Sequence, residues 1–222
     1  MMREFSTVEM IYILSAARWT ITLSLIAFIG GGILGLFVAL ARVSPSRAVR
    51  VITAGYIQVF QCIPLLMLLF LIFFGLAMTG YSRNQYFAVS VALSLYAGAY
   101  LGEIWRGAIQ AVPRGQWEGS LALGFSYFEQ FRYVIFPQSV RIAIPPTVGF
   151  LVQIIKNTSL ASIIGFTELT QAAQFVNNLT YAPFKVYPFA GAIYFSMCFP
   201  LYLLSRYLER RLDVHSPNSI HH

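Results

Sequence analysis

A short polar stretch interrupts one of the apolar segments of this sequence, at Lys156, Asn157, Thr158 and Ser159. An ionisable side chain at the centre of a membrane helix costs roughly 2.5–3.5 kcal/mol, so such residues are usually paired or functional. Amide and hydroxyl groups both donate and accept hydrogen bonds, and a zwitterionic ligand needs both for its ammonium and carboxylate groups. We therefore predict that this stretch faces the interior of a helical bundle, where it contacts a ligand or another helix.

Glu103 is the second ionisable candidate. It lies near the end of another apolar stretch, and Arg106 follows three residues later. Residues three apart are neighbours on a helix surface, so a local ion pair is the alternative to a role in ligand binding. The sequence leaves both interpretations open.

No catalytic motif accompanies these residues. Neither lysine belongs to a G-x-x-x-x-G-K-[ST] phosphate loop, and the sequence contains no H-E-x-x-H or G-x-S-x-G pattern. Cys62 and Cys198 lie in apolar runs without metal-ligand spacing, and His215, His221 and His222 all lie in the C-terminal tail. We expect a protein that is not an enzyme and holds no cofactor or metal, and that takes its energy from a partner or an ion gradient.

Composition indicates that membrane-spanning helices position these residues. Hydrophobic residues make up 58% of the chain and charged residues 10%, against about a quarter charged in soluble domains. Uncharged stretches of about 20 residues are long enough to cross the hydrocarbon core. They predict an all-α, multi-pass membrane protein with one membrane domain over 1–222. The predicted spans are 19–41, 53–78, 84–106, 145–166 and 186–205.

Prolines and glycines add local expectations. Pro64 is expected to bend or break span two, and Pro145–Pro146 to lie in the first turn of span four. Gly31 and Gly35 have the spacing that lets a second helix approach closely.

The distribution of basic residues predicts the orientation. The formal net charge is +7, but the basic residues separate apolar stretches and form no basic face, so we expect no nucleic-acid partner. Four basic residues lie on one side of the predicted membrane, and ten lie on the other. The ten are Arg42, Arg47, Arg50, Arg106, Arg114, Arg132, Arg141, Arg206, Arg210 and Arg211. The positive side is cytoplasmic, so we expect the N-terminus outside and the C-terminus in the cytoplasm.

A structured cytoplasmic loop is predicted between spans three and four, at about 113–136. Residues 116–123 favour a helix, and Gly124 is placed to end it. Ser126 and Glu129 form the S-x-x-E pattern of a capping box, which predicts a second short helix.

The second helix has an apolar side. Phe128, Phe131 and Ile135 fall at helical spacing, so we expect all three to pack against the spans. An interfacial helix that merely anchors the loop is the alternative.

Residues 103–146 resemble the cytoplasmic signature of membrane subunits of bacterial ATP-binding-cassette (ABC) importers. More narrowly, they resemble the polar amino acid uptake family of the histidine and glutamine permeases. In that family the loop reads roughly E-A-A, then a glycine, then I-x-L-P. The matching residues here are Glu118, Gly119, Ser120, Gly124, Ile135, Phe136 and Pro137. The resemblance extends to 59–70 and 154–165, so it covers most of the chain in order.

Some positions depart from the family pattern. Gly119 replaces an alanine and weakens the first loop helix by about 1 kcal/mol. Gln61 stands where arginine is more frequent. Asn157 stands where many relatives carry aspartate, which removes a negative charge and disfavours strongly cationic substrates.

The resemblance implies that residues 115–125 form a coupling helix that docks on a separate ATPase subunit. The residues assigned to the coupling surface are Gly115, Gln116, Glu118, Gly119, Ser120, Ala122, Gly124, Phe125 and Pro137. The residues assigned to the substrate path are Gln61, Pro64, Tyr100, Glu103, Lys156, Asn157, Thr158 and Ser159.

The resemblance also implies the fold and the partners. The expected fold is that of a type I (MetI-like) importer subunit in the bacterial inner membrane, carrying a polar amino acid into the cytoplasm. Expected partners are two copies of an ATPase subunit that binds ATP and Mg²⁺, a periplasmic amino-acid-binding protein, and a second membrane subunit, either identical or homologous. An ion-gradient-driven transporter is the alternative; it usually carries internal inverted repeats, which this sequence does not show.

Overall fold

The computed structural model describes residues 4–79 and 84–212, and every regular element in these ranges is a helix. The α-helices are α1 (Thr7–Arg42), α2 (Arg47–Cys62), α3 (Leu65–Met78), α4 (Gln85–Gln110), α5 (Arg114–Ala122), α6 (Tyr127–Glu129), α7 (Phe136–Asn157), α8 (Leu169–Thr180) and α9 (Pro183–Arg211). A π-helical turn (Gln130–Ile135) joins α6 to α7, and a 3₁₀ segment (Thr158–Ile164) follows α7. Arg3, Arg83 and the three histidines lie outside the described residues.

Within this part of the chain, four continuous helical stretches are long and apolar enough to cross a membrane, and the bent pair α2–α3 gives a fifth candidate. Helices α1 and α9 extend well beyond the predicted spans 19–41 and 186–205. A capping box formed by Ser6 and Glu9 starts α1, because its side chains satisfy backbone N–H groups that have no partner within the helix.

Close packing of α1 on α4 forms the centre of the bundle. A Cβ atom added to Gly31 would lie 2.3 Å from the Cβ of Ala97, and one added to Gly35 would lie 2.9 Å from the Cβ of Leu101. No residue larger than glycine fits at these distances without a shift. The predicted role of this glycine pair in helix packing is confirmed.

Span two is bent at Pro64. Helices α2 and α3 meet at 104°, so residues 53–78 lie in two helices and not in one straight span. Ile63, the residue before proline, has an extended backbone with ψ of 128°, because the proline ring disfavours the helical conformation there. The expected break at Pro64 is confirmed.

Span four differs most from the sequence prediction. Its helix begins in the loop, at Tyr127, and runs to Ile164, so the loop 113–136 is continuous with the spanning helix. Pro145 and Pro146 lie inside α7 and not in its first turn, which corrects the prediction. Interior prolines remove backbone donors, and membrane helices tolerate this where neighbouring helices provide polar contacts. An interhelical contact lies at the same place, since Ser205 Oγ of α9 donates to the Pro145 carbonyl at 2.9 Å.

Candidate functional site

The loop between α4 and α7 folds as a helix, a tight bend and a second helix. Gly124 has φ of +81°, a left-handed conformation that glycine adopts without strain. The backbone N–H groups of Gly124 and Phe125 donate to the carbonyls of Leu121 and Ser120 at 2.9 and 3.2 Å, and so close the end of α5. The capping box is also present: Ser126 N donates to Glu129 Oε2 at 2.8 Å. Both local predictions are confirmed.

Most residues assigned to the coupling surface are exposed. They are Gly115, Gln116, Glu118, Gly119, Ala122, Gly124 and Pro137, while Phe125 is half-buried. Ser120 is the exception, with 3% of its surface exposed and its Oγ donating to the Trp117 carbonyl at 2.9 Å. Ser120 follows Trp117 by three residues, on the face of α5 that packs inward. Ser120 therefore does not lie on the exposed face of α5, and its assignment to the docking surface stays a prediction.

Large apolar side chains surround the bend, and sequence reasoning missed most of them. Leu121, Leu123, Tyr127 and Phe128 expose 65%, 76%, 57% and 70% of their surface. The prediction that Phe128 packs against the spans is wrong, whereas Ile135 is fully buried and Phe131 packs beside it. The π-helical turn begins after Phe128 and ends at Ile135. Its hydrogen bonds span five residues and not four, so Phe128 and Ile135 do not keep the α-helical register.

Side-chain contacts tie α5 to the start of the fourth span. Gln130 is buried and its Nε2 donates to the Phe125 carbonyl at 2.9 Å. The rings of Trp117 and Tyr127 stack with centroids 6.0 Å apart. Gln138 Nε2 donates to Gln116 Oε1 at 3.1 Å. These contacts bridge the bend and hold α5 against the segment that continues into α7.

The polar stretch at the end of α7 divides into satisfied and unsatisfied groups. Thr158 is fully buried and donates to the Ile155 carbonyl at 2.8 Å, so its hydroxyl proton is not available to a ligand. Ser159 donates in the same way to Lys156 at 2.7 Å. Asn157 accepts from Gln153 at 3.2 Å, but its Nδ2 is buried without a hydrogen-bond partner. Asn157 is therefore the member of the stretch whose amide is not satisfied within its own helix, and the Tyr96 hydroxyl is its polar neighbour.

Lys156 does not lie in the interior of the single chain. Its side chain is exposed, although we expected the whole stretch to face inward. Lys156 and Thr158 are two residues apart, a spacing that places them on different sides of a helix. For this reason Thr158 can be buried while Lys156 is not.

An aromatic cluster lies beside Asn157. The Tyr96 and Tyr100 rings are 4.5 Å apart, and Tyr100 stacks on Phe150 at 5.4 Å with an interplanar angle of 12°. The Tyr96 hydroxyl is a polar neighbour of Asn157. The structure thus brings Tyr100 and Asn157 into one region and adds Tyr96 and Phe150, which sequence reasoning missed. The i, i+4 spacing of the two tyrosines in an apolar helix was the available signal.

The other residues assigned to the path have local roles. Glu103 forms the expected ion pair with Arg106, whose Nε donates to Oε2 at 2.8 Å and whose Nη2 contacts Oε1. Gln61 Nε2 donates to the Ala99 carbonyl at 3.4 Å and links α2 to α4. Pro64 is exposed at the bend. Among the described residues no group of three or more potential metal ligands occurs.

A buried glutamate was also missed. Glu168 is fully buried and caps α8 by accepting from Thr170 N at 2.7 Å and Gln171 N at 3.0 Å. The Tyr194 hydroxyl and Thr20 Oγ1 donate to its other oxygen at 2.6 and 3.3 Å. Burial raises the pKa of the Glu168 carboxyl, and these donors act in the opposite direction. Glu168 therefore joins α1, α8 and α9, and its isolation between two apolar runs was the only sequence signal.

The fold is that of a polytopic helical membrane protein whose fourth span is continuous with a structured loop. The model of the family described as "Binding-protein-dependent transport system inner membrane component" matches residues 31–214. The chain belongs to this family of transporter membrane subunits.

Characterised relatives and solved structures agree with this assignment. The chain is 39% identical to the L-cystine transport system permease protein TcyB of Bacillus subtilis (strain 168) over 197 residues, covering 88% of this chain and 84% of that protein. It is 37% identical to the nopaline transport system permease protein NocM of Agrobacterium fabrum over 213 residues, covering 91% and 88%. The crystal structure of an amino acid ABC transporter with histidines contains a chain with TM-score 0.85 and 34% identity, covering 90% of this chain and 94% of that one.

A more distant structure supports the fold alone. The inward-facing MetNI methionine ABC transporter contains a chain with TM-score 0.76 and 18% identity, covering 94% of this chain and 99% of that one. The MetI-like fold is confirmed, and the comparisons favour an amino acid ABC permease over the ion-gradient alternative.

Proposed function

We propose that this chain moves a polar amino acid from the periplasm to the cytoplasm, driven by ATP hydrolysis in a separate ATPase subunit that binds ATP and Mg²⁺. Family membership and the printed functions of the relatives support the substrate class. The N-terminus lies in the periplasm and the C-terminus in the cytoplasm, as the excess of basic residues on one side supports. The particular amino acid is selected first by a periplasmic binding protein.

The loop α5–α6 is the proposed contact with the ATPase. Its outer surface carries the Glu118 carboxylate and the small residues Gly115 and Gly119, beside which an added Cβ would meet nothing within 4 Å. The exposed apolar residues Leu121, Leu123 and Phe128 extend this surface. Exposed apolar side chains next to polar ones are typical of a protein interface.

The contacts of Gln130 and Trp117 carry the proposed function most directly. They make α5 and α7 one mechanical unit, so closure of two ATPase subunits on two such loops reorients the spans. Switching between inward- and outward-facing states is then a rigid-body change of helical packing. A single chain of four or five spans encloses little volume, so the path lies between two membrane subunits, either two copies of this chain or one copy and a homologue.

Asn157 and Tyr100 are the proposed contacts with the substrate path. The Asn157 amide, which lies beside the Tyr96 hydroxyl, provides a hydrogen-bonding group for a carboxylate or a water molecule. The stacked rings of Tyr96, Tyr100 and Phe150 form an apolar wall beside it.

Substitution of Glu118 tests the coupling role. In the complex reconstituted with its ATPase and binding protein, Glu118→Ala is expected to reduce both uptake and binding-protein-stimulated ATP hydrolysis by about tenfold, because loss of an interface anchor costs roughly 1–2 kcal/mol. Glu209→Ala is the matched control, since Glu209 is an exposed glutamate in α9 with only a weak contact to Arg206 at 3.9 Å. Normal uptake and normal stimulated hydrolysis in Glu118→Ala would contradict the proposal.

A further inference from the structure

Two adjoining concave surfaces lie where α1, α4 and α7 meet beside the loop. The first, the apolar groove, has a volume of about 350 Å³ and is lined by residues of all three helices, among them Leu36, Trp105 and Val148. The second, the arginine pocket, is lined by side chains that include Arg42, Arg50 and Arg114. Ile109 and Phe131 line both surfaces, so the groove and the pocket adjoin each other.

The groove matches one leaflet of a bilayer in length and in polarity. Its α7 lining runs from Phe136 to Val148, about 18 Å at a rise of about 1.5 Å per residue. Half of the hydrocarbon core is about 15 Å. The lining hydroxyls are already used: Ser139 donates to Phe136 at 2.9 Å, and Thr147 donates to Ala143 at 2.7 Å and accepts from Trp105 Nε1 at 2.9 Å. The groove therefore suits an acyl chain and offers little to a polar ligand.

The pocket carries guanidinium groups whose charge is not neutralised by its lining. Arg50 donates to the Ser44 and Pro45 carbonyls at 2.8 and 2.7 Å. Arg42 Nη1 donates to the Arg50 carbonyl at 3.1 Å, but Arg42 Nε is buried without a hydrogen-bond partner. No acidic side chain of the described residues lines the pocket. The carboxylate within electrostatic reach of Arg42 is Glu103, which is already bonded to Arg106.

We propose that groove and pocket together bind one anionic phospholipid of the cytoplasmic leaflet. Its phosphate lies between Arg42 and Arg114, since guanidinium groups match phosphate oxygens in charge and geometry, and one acyl chain fills the groove. Trp117 of α5 and Tyr127 of α6 also line the pocket, so the lipid joins the α1–α2 turn to the loop. The assignment of the lipid to the cytoplasmic leaflet rests on the proposed orientation of the chain. The binding site itself does not depend on that orientation.

Photolabelling of the assembled complex tests this site. The complete complex, with its ATPase, is reconstituted in phosphatidylcholine vesicles. Each sample contains a trace of one probe, which is either phosphatidylglycerol or phosphatidylcholine that carries a diazirine in its acyl chain. After irradiation, labelled peptides are identified by mass spectrometry. We expect peptides that contain the groove residues of α1 and α7 to be labelled several-fold more by the phosphatidylglycerol probe, and unlabelled phosphatidylglycerol to compete.

Charge variants separate a specific site from bulk lipid. Arg42→Gln and Arg114→Gln are each expected to lower the preference for phosphatidylglycerol about fivefold, the fold-change that corresponds to roughly 1 kcal/mol per basic side chain near an anionic lipid. Arg47→Gln is the matched control, because Arg47 is exposed in the same turn and does not line the pocket. Arg114→Gln is not expected to disturb the fold, because Arg114 is the exposed first residue of α5. Ala143→Leu narrows the groove without a change of charge and is expected to reduce labelling by both probes.

Three results would overturn the proposal. The first is equal labelling by the two probes, and the second is equal loss of preference in Arg47→Gln and Arg42→Gln. The third concerns a parallel sample of the membrane subunits without the ATPase: labelling that occurs only in that sample would assign the pocket to an acidic segment of the ATPase. Labelling requires neither substrate nor ATP. A failure of the lipid site and a failure of the importer assignment are therefore distinguishable.

Discussion

The contact of α1 with α4 makes a quantitative prediction, because the chain provides its own control. At Gly31 an added Cβ would lie 2.3 Å from Ala97 Cβ and 3.0 Å from backbone atoms of Ala97 and Gly98. At Gly32 the nearest atom is Trp105 Cη2, at 3.8 Å. Gly31→Ala therefore creates an overlap with backbone, whereas Gly32→Ala makes an ordinary contact.

The difference between the two variants isolates the overlap. Both replace glycine by alanine inside one helix, so the gain in helix propensity of about 1 kcal/mol is common to both. An ordinary carbon–carbon contact is about 3.5–4.0 Å, so Gly31→Ala must separate the helices locally by roughly 1.2 Å or more. Overpacking of this kind costs about 1–3 kcal/mol. Gly31→Ala is thus expected to be less stable than Gly32→Ala by that amount.

Thermal unfolding of the purified complex in one detergent measures this difference. For a chain of this size, 1 kcal/mol corresponds to a shift in midpoint of about 2–4 °C, so Gly31→Ala is expected to unfold roughly 2–12 °C below Gly32→Ala. Equal midpoints would show that α1 and α4 do not pack at the described distance. The same result would remove the physical reason for a glycine at position 31.

Two further predictions concern the loop and the path. Gln130→Met keeps the length of the side chain but removes the amide that donates to Phe125. We expect uptake to fall several-fold relative to ATP hydrolysis when both are measured in the same proteoliposomes. An unchanged ratio of uptake to hydrolysis would exclude Gln130 from coupling. Asn157→Leu removes the amide that lies beside the Tyr96 hydroxyl and is expected to reduce uptake about tenfold, as for loss of one hydrogen bond to a charged group. Unchanged uptake and selectivity of Asn157→Leu would remove this residue from the path.

Features that depend on a few neighbouring residues were predictable. The break at Pro64 follows from the proline ring and its effect on Ile63, and the left-handed turn at Gly124 follows from the absence of a Cβ. The capping box of Ser126 and Glu129 and the ion pair of Glu103 and Arg106 each involve residues three positions apart. In all these cases the atoms that interact are held together by the local chain.

Side-chain exposure in the loop was predicted less well. Helical spacing alone places Phe128 on the same side as Phe131 and Ile135, but the π-helical turn changes the register, and Phe128 is exposed. Ser120 was assigned to the outer surface by its place in a motif, yet it lies on the buried face of α5. Exposure depends on what packs against a residue, and a motif does not carry that information.

The sequence by itself determined that this chain spans a membrane, where its helical breaks fall and which loop belongs to the transporter family, because apolar length, proline, glycine and capping patterns act over short distances. Only the tertiary structure decided that the fourth span begins in the loop, that the Asn157 amide lies beside the Tyr96 hydroxyl, and that Glu168 joins three helices. Those outcomes depend on groups distant in the chain, such as Thr20 and Tyr194 around Glu168, and their approach is set by packing of the whole bundle.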